Sequence, residues 1–147
     1  MPASYDKTAH RYDRAIAPLE KRFLGRLRAE TMALIPESST ILEIGCGTGA
    51  NFALYPHDCR GFAGEVSFKM LEIARGKSDR VAIVQADAQE LPFPADHFDA
   101  AFATLVFCSV TDPIKGLAEL NRVVRPGGRV VLLEHVRPDG LLGYVFD

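Results

Sequence analysis

Three carboxylates lie within or at the ends of successive apolar segments of the chain, at positions where a carboxylate can bind a ligand. Glu43 lies within the first segment, Glu65 ends the second and Asp87 follows the third. The carboxyl ends of parallel strands meet at one edge of a sheet, so we expect these acids to share one rim. Glu65 stands 20 residues beyond Gly45, the spacing at which a carboxylate reaches a ribose diol and accepts from both hydroxyls.

The other two acids suit other parts of a nucleoside ligand. Asp87 is placed to accept from an adenine amino group, with the Ala88 N–H available to a ring nitrogen, and Glu43 can face an ammonium group. Each acid taken singly fits equally well as a helix cap or a loop-stabilising side chain. Three acids at adjacent strand ends favour a binding rim instead.

A glycine-rich loop lies next to the first acid. Gly45, Gly47 and Gly49 directly follow an apolar strand, where they permit a tight turn and let a ligand approach without meeting a Cβ. Residues 51–55 then predict a short helix, which makes the loop a binding corner of an open α/β sheet. Gly45, Gly47 and Ala50 also match the looser dinucleotide pattern G-x-G-x-x-A, so the loop alone does not identify the ligand.

The charge around this corner selects between ligands. The loop carries no basic residue, and a pyrophosphate beside three carboxylates would be repelled. An adenosine with a positive charge and an amino acid tail suits the acidic rim better, which favours S-adenosylmethionine over a dinucleotide. Nicotinamide-binding folds also keep an acid for the ribose, so a nicotinamide-dependent oxidoreductase stays an alternative.

The length and composition of this 147-residue sequence argue against several other classes of protein. We expect one domain over 1–147, with 48% hydrophobic residues for its core and a net charge of −2 that gives no case for nucleic acid. Apolar runs long enough for a membrane span are absent from the sequence, and residues 1–14 lack a signal-peptide core. The three cysteines and four histidines are scattered, so we predict no metal site and a cytoplasmic protein with reduced thiols.

Helical and extended patterns alternate along the chain. The first predicted helix covers 18–35, with an apolar stripe at Leu19, Phe23, Leu27, Thr31 and Leu34, and with Lys21, Arg22, Arg26 and Arg28 on a solvated face. Strands are predicted at 41–44, 60–64, 80–85, 98–103 and 129–134, and helices begin after Ser67 and at Asp112–Pro113. We expect 126–128 to break the chain before the fifth strand. The alternation predicts a doubly wound, Rossmann-like parallel α/β sheet.

The N-terminal segment repeats one dipeptide, as Tyr5–Asp6 and Tyr12–Asp13. One interpretation is a polar lead-in with two aromatic anchors. The other is a flap whose tyrosines close over a ligand, mobile without it and protected with it. The spacing of the dipeptides does not decide between these interpretations.

Taken together, the motifs resemble those of class I S-adenosylmethionine-dependent methyltransferases. The resemblance rests on a glycine motif, a ribose motif, an adenine segment, a fourth-strand motif and a helix and turn before strand five, found at 42–49, 64–71, 85–93, 98–110 and 120–131. It implies the strand order 3-2-1-4-5 and a cofactor site formed by Tyr5, Tyr12, Glu43, Gly45, Cys46, Gly47, Gly49, Asn51, Glu65, Val66, Met70, Asp87, Ala88, Thr104 and Leu105.

The resemblance also implies methyl transfer to a small-molecule or lipid-like acceptor. The tyrosine dipeptides are similar to those of ubiquinone/menaquinone methyltransferases, whereas 104–110 and 134–136 look closer to thiol methyltransferases. Cys108–Ser109 departs from the quinone and sterol enzymes, so their substrate chemistry is not carried over. We assign no catalytic residue, although His135 is a candidate base, and a non-catalytic S-adenosylmethionine-binding protein stays an alternative.

The end of the sequence also departs from the pattern that the resemblance implies. Such enzymes continue into a helix and strands 6 and 7, so we expect a truncated form or completion by another chain. We predict that strand five is protected by self-association, with the apolar tail 141–146 as one segment that subunits can exchange. The tail folding back on its own chain, or touching a membrane surface, are the alternatives.

Overall fold

A five-stranded sheet with only parallel neighbours forms the centre of the molecule. The structure, a computed structural model, describes residues 2–135 and, for residues 2–5 and 8, the backbone alone. Its strands are β1 Thr40–Ile44, β2 Arg60–Glu65, β3 Val81–Gln85, β4 Phe98–Thr104 and β5 Val124–Leu133. The strands lie in the order β3-β2-β1-β4-β5, which confirms the predicted order.

Helices cover both faces of this sheet. They are α1 Pro2–Leu19, α2 Gly25–Met32, α3 Phe68–Arg75 and α4 Pro113–Val123, with a π-helical turn Glu20–Leu24 and short 3-10 helices Phe52–Leu54 and Phe107–Ser109. Neighbouring residues of β1 point to opposite faces: Ile41 packs in one core with Met32 and Leu71, and Leu42 in another with Leu120. The doubly wound architecture is therefore confirmed, and burial of the apolar residues on both sides of the sheet stabilises it.

The first helix is longer than predicted. Helical backbone begins at Pro2 and continues through the π-helical turn to Met32, so the predicted start at residue 18 is wrong. Pro18 lies inside α1, although an internal proline costs about 3 kcal/mol. The N-terminal part of the helix packs against α3, and this tertiary contact offsets the cost.

Most of the predicted core stripe of this helix is also wrong, although Thr31 is buried as predicted. Leu19, Phe23 and Leu34 are about half exposed or more, at 49%, 62% and 52%. Leu24 and Arg28 are buried instead, at 7% each, so the assignment of Arg28 to a solvated face is wrong too. Hydropathy patterning failed here because the buried face of the helix carries a guanidinium group.

The fifth strand begins earlier than predicted. Residues 126–128 lie within β5 rather than before it, and the pairing with β4 shifts register between Phe98↔Val124 and Ala100↔Arg129. A Cβ at Gly128 would lie 2.7 Å from the Asp99 carbonyl oxygen, so glycine allows this close approach.

β5 lies at one edge of the sheet as far as the chain is described. Val130 and Leu132, on one face of this strand, are 39% and 42% exposed. Self-association through β5 stays a prediction, and the tail that it involves lies outside the described residues. Among the described helices, we find none with the length and apolar character needed to cross a membrane.

Candidate functional site

A cavity opens at the carboxyl ends of β1 to β4. Many of the predicted site residues line it, namely Tyr12, Gly45, Cys46, Gly47, Glu65, Val66, Met70, Asp87, Ala88, Thr104 and Leu105. Three others, Glu43, Gly49 and Asn51, are buried and do not line it. The side chain of Tyr5 lies outside the described residues. The cavity is thus the place where the fold brings the sequence-predicted residues together.

The glycine loop forms one wall of this cavity. Gly45 has a φ of 67°, and a Cβ on it would clash with a methyl carbon of Val106. Gly47 has a φ of 54° and open space around the position of a Cβ. Both residues need the left-handed backbone that glycine adopts without strain, and Gly47 leaves its backbone open to a ligand.

Glu65 fixes the glycine loop and keeps acceptor capacity for a ligand. Its Oε2 accepts from the Gly47 N–H at 2.9 Å, and its Oε1 accepts from the Ser67 N–H at 2.9 Å. A carboxylate has about four lone-pair positions, so each oxygen retains one. This geometry suits a pair of vicinal hydroxyls, which can donate to both oxygens together.

Asp87 lies at the neighbouring strand end, after β3. It is exposed, and its Oδ1 accepts from the Gln89 N–H at 2.8 Å and from the Gln89 side chain at 3.1 Å. The carboxylate therefore stabilises its own loop while lining the cavity. The hydrogen bonds from Gln89 leave acceptor positions of the Asp87 carboxylate unused, so this carboxylate can also accept from a ligand amino group.

Glu43 lies beneath the cavity rather than in its wall. Its Oε1 accepts from Asn51 Nδ2 and its Oε2 from the Tyr55 hydroxyl, both at 2.6 Å. Burial raises the pKa of Glu43 to about 7, although the hydrogen bonds from Tyr55 and Asn51 act in the opposite direction. The predicted contact of Glu43 with an ammonium group does not fit this placement, because this residue is 1% exposed and lies outside the cavity wall.

Arg28 lines the cavity, and sequence reasoning did not select it. Its Nε and Nη2 donate to Glu20 at 2.9 and 2.7 Å, while its Nη1 donates to Thr104 Oγ1 at 2.8 Å and to Asn51 Oδ1 at 3.2 Å. In the sequence, the acid Glu20, eight residues before Arg28, was the one sign that Arg28 could be paired and buried. Because Arg28 was assigned to a solvated face, an ion pair with Glu20 was not predicted.

The aspartates of the repeated dipeptides hold α1 against the site. Asp6 accepts from the Ser67 hydroxyl, and Asp13 accepts from Thr48 Oγ1 and from Lys77 Nζ. Burial alone would raise the pKa of Asp13, but the hydrogen bonds from Lys77 and Thr48 outweigh it and hold the pKa below its ordinary value. These contacts place Tyr12 in the cavity wall. Closure of the segment over a ligand stays a prediction.

Replacement of Ser67 by Ala tests this attachment. The Ser67 hydroxyl donates to Asp6 and also accepts from the Met70 N–H as the N-cap of α3. We expect Ser67→Ala to lower the free energy of unfolding by about 1–2 kcal/mol and to speed amide exchange in α1. Urea unfolding and hydrogen exchange mass spectrometry measure both effects. Ser67→Thr keeps the hydroxyl as the control, and unchanged exchange in α1 of the alanine variant would show that Asp6 does not anchor the helix.

The candidate nucleophiles and bases are either unreactive or outside the cavity wall. Burial raises the pKa of the Cys46 thiol far above its ordinary value, so this thiol stays protonated at neutral pH. Cys108 and His135 are exposed and are not part of the cavity wall. The described residues therefore suit binding and positioning of ligands, and we assign no general base.

Comparison with known proteins finds a family and several relatives that match the part of the chain that forms this cavity. The family described as "Methyltransferase domain" matches residues 42–132. A demethylmenaquinone methyltransferase of Clavibacter sepedonicus is 38% identical over 145 residues, which cover 94% of this chain and 59% of the relative. The human thiol S-methyltransferase TMT1B is 39% identical over 105 residues, which cover 65% of this chain and 42% of the relative.

Solved structures agree with the family match. A SAM-dependent methyltransferase from Thermotoga maritima superposes with a TM-score of 0.80 at 28% identity, covering 99% of this chain and 67% of that chain. The chain spans about three fifths of the length of the first curated relatives that it matches. The similarity therefore concerns the part of those proteins that corresponds to the sheet and cavity described above.

Proposed function

Because the chain belongs to the family of the methyltransferase domain, we propose that it transfers a methyl group from S-adenosylmethionine to a small-molecule or lipid-like acceptor. The observation that carries this proposal is the wall of the cavity. The open backbone of Gly47, the carboxylate of Glu65 and the carboxylate of Asp87 lie together at adjacent strand ends. Within this domain, which we propose to cover 1–147, these groups match the parts of an adenosine ligand.

The residues of the wall fit this cofactor chemically. Glu65 retains one acceptor position on each oxygen for the ribose hydroxyls, and Asp87 can accept from the adenine amino group. Of the described residues in the wall, Arg28 alone is basic, and Glu20 already pairs with it. A pyrophosphate would find little positive charge here, which argues against a dinucleotide.

The protein contributes position and desolvation to the proposed reaction. S-adenosylmethionine, when bound, supplies an activated methyl group on a sulfonium. The glycine loop, Glu65 and Thr104 hold the ligand in one orientation, and the apolar side chains of Leu105 and Val106 exclude water beside it. An acceptor that arrives deprotonated needs no base from the protein.

The names of the relatives suggest which class of methyl acceptor to propose for this chain. Their names include demethylmenaquinone, phosphatidylethanolamine and thiol methyltransferases. A quinone precursor, an aminophospholipid and a small thiol are therefore the three acceptors to test. A binding protein without transferase activity is the second candidate, because the described cavity wall binds and positions a ligand and we assign no general base to it.

A binding titration followed by an acceptor screen tests the proposal. We expect S-adenosylhomocysteine to bind by calorimetry with a Kd in the micromolar range, about −8 kcal/mol, and NAD to show no heat of binding. Methyl transfer from labelled S-adenosylmethionine to one of the three acceptors would establish the enzyme. Binding without transfer would favour the second candidate, whereas binding of NAD alone would contradict the proposed cofactor.

A further inference from the structure

We infer that Glu134 is a positioning residue for methyl transfer, an inference that rests on the proposed function. Its carboxylate lies just beyond the end of β5 and binds the backbone of the turn 105–107, which follows β4. Leu105 and Val106 of this turn line the cavity. The described wall of the cavity does not include Glu134, so this residue acts through the turn and not by contact with a ligand.

The turn after β4 has a backbone conformation that its residues do not favour. Leu105 has a φ of 59°, in the left-handed region, which costs a residue with a Cβ about 1–2 kcal/mol. Strain of this kind persists only where the surrounding structure enforces it, and it concentrates at functional sites. The turn therefore needs contacts from other parts of the chain to keep its shape.

The end of β5 supplies these contacts. The Leu105 N–H donates to the Leu133 carbonyl oxygen at 2.7 Å, beside the last paired residues of β4 and β5. The next two N–H groups, those of Val106 and Phe107, both donate to Glu134 Oε1, at 2.9 and 3.0 Å. Three consecutive N–H groups of the turn are thus bound by the end of β5, and Glu134 supplies the acceptor for two of them.

The second oxygen of Glu134 has a cost that the first must offset. Oε2 is buried and has no hydrogen-bond partner among the described residues. A buried acceptor without a partner costs about 1–3 kcal/mol, and such groups in native structures often mark strain or a functional role. We therefore attribute the carboxylate at this position to the two hydrogen bonds that Oε1 makes with the turn.

The turn determines the shape of the cavity wall at the end of β4. The Val106 side chain occupies the space beside Gly45, where an added Cβ would clash with it. On the other side, a Cβ on Gly116 of α4 would lie 2.9 Å from the ring of Phe107. Glycines on both sides thus fit the turn closely, so a shift of its backbone changes the wall beside the glycine loop.

This wall matters more for the reaction than for cofactor affinity. The proposed adenine and ribose contacts, Asp87 and Glu65, lie at the ends of β3 and β2, whereas β4 lies on the other side of β1. Transfer requires close alignment of the methyl group with its acceptor, and a misplacement of about 1 Å can cost about 100-fold in rate. We therefore expect loss of the turn to slow transfer while the cofactor still binds.

Three variants separate the reach of the Glu134 side chain from its charge. Glu134→Gln keeps a carbonyl oxygen for the two N–H groups and removes the charge. Glu134→Asp keeps the charge on a side chain that is shorter by one methylene, so it no longer reaches both N–H groups. Glu134→Ala removes both properties. Glu72→Gln, at an exposed position of α3, is the matched control for loss of a charge.

We expect Glu134→Asp and Glu134→Ala to lower the single-turnover rate of methyl transfer by about 10-fold to 100-fold. Their Kd for S-adenosylhomocysteine should stay within about threefold of the wild type, and Glu134→Gln should keep both quantities near their wild-type values. The rate is measured from labelled S-adenosylmethionine to whichever of demethylmenaquinone, phosphatidylethanolamine vesicles and 2-mercaptoethanol the wild type methylates. Hydrogen exchange of 105–110 reports on the turn directly, and it should be faster in the Asp and Ala variants alone.

Other results would overturn the inference. An equal loss of rate in the Gln and Asp variants would mean that the charge of Glu134 matters and not its hold on the turn. A loss of cofactor affinity as large as the loss of rate would mean that Glu134 only supports the fold, and an unchanged rate in the Ala variant would mean that the turn keeps its shape alone. If the Ala variant does not fold, the Asp and Gln variants decide the question.

Failure of the proposed function gives a different result. If the wild type transfers no methyl group to any of the three acceptors, the proposed function fails, and the role of Glu134 in transfer fails with it. If the wild type transfers a methyl group and all three Glu134 variants do so at the same rate, only the inference about Glu134 fails.

Discussion

Replacement of Glu43 by Gln is expected to raise the free energy of unfolding by about 3 kcal/mol at pH 8 and by less than about 1 kcal/mol at pH 5. Burial raises the pKa of Glu43 from its ordinary value of 4.5 to about 7, against the lowering effect of the hydrogen bonds from Tyr55 and Asn51. Between these two values the folded protein holds a proton that the unfolded chain has released. Stability therefore falls as the pH rises from about 4.5 to about 7 and levels off above that.

A neutral glutamine avoids this loss because it reproduces the protonated acid. Its carbonyl oxygen can accept from Asn51 Nδ2, which donates to Glu43 Oε1, and its amide nitrogen takes the place of Oε2 beside the Tyr55 hydroxyl. The ionised form of Glu43 must instead be held at 1% exposure, which is costly in a low-dielectric interior.

Urea unfolding at several pH values between 5 and 8 measures the difference. The two proteins differ at this one side chain, so subtracting one curve from the other isolates the contribution of Glu43. Glu72→Gln, at an exposed position of α3, is the control for loss of one negative charge. Parallel pH curves for wild type and Glu43→Gln would contradict a raised pKa at this site.

Replacement of Glu65 by Ala is expected to weaken binding of S-adenosylhomocysteine by about 10-fold to 100-fold, or about 1–3 kcal/mol. The alanine loses the proposed ribose acceptors. It also leaves the N–H groups of Gly47 and Ser67 without their carboxylate, so the glycine loop no longer has a fixed shape. We therefore expect an additional loss of about 2 kcal/mol in the free energy of unfolding.

Two further variants separate these effects. Glu65→Gln keeps one carbonyl acceptor for a backbone N–H but removes the second, and we expect an intermediate loss of affinity. Glu72→Ala, at its exposed position on α3, should match the wild type in calorimetry. Full affinity in the Glu65→Ala protein would remove this residue from the cofactor site.

Part of this site could be predicted because it depends on local patterns. A strand that ends in three alternating glycines, followed by acids at the ends of the next two strands, needs no knowledge of distant contacts. Alternation of strands and helices indicates a parallel sheet, and the carboxyl ends of its strands then lie on one rim. The positions of Gly47, Glu65 and Asp87 in the cavity wall follow from this logic.

The N-terminal helix shows where local patterns fail. Periodicity gave an apolar stripe through Leu19 and Phe23, and Pro18 gave a plausible start, yet the helix begins at Pro2 and exposes both apolar side chains. Packing of α1 on α3 overrides the proline, and the π-helical turn lies where the pattern assumed a regular helix. Both effects depend on tertiary contacts, which hydropathy along one segment does not contain.

The sequence by itself determined the glycine corner and the acids around it, because these follow from residues close together in the chain, and the strand order followed from the family resemblance that those motifs carry. Only the tertiary structure decided that Arg28 is buried, since its partner Thr104 lies 76 residues away. The same holds for Glu43, whose pKa depends on its burial and on the groups around it in the fold. Burial of a charged group is stable only with partners that the fold brings to it, and those partners are not visible in local sequence.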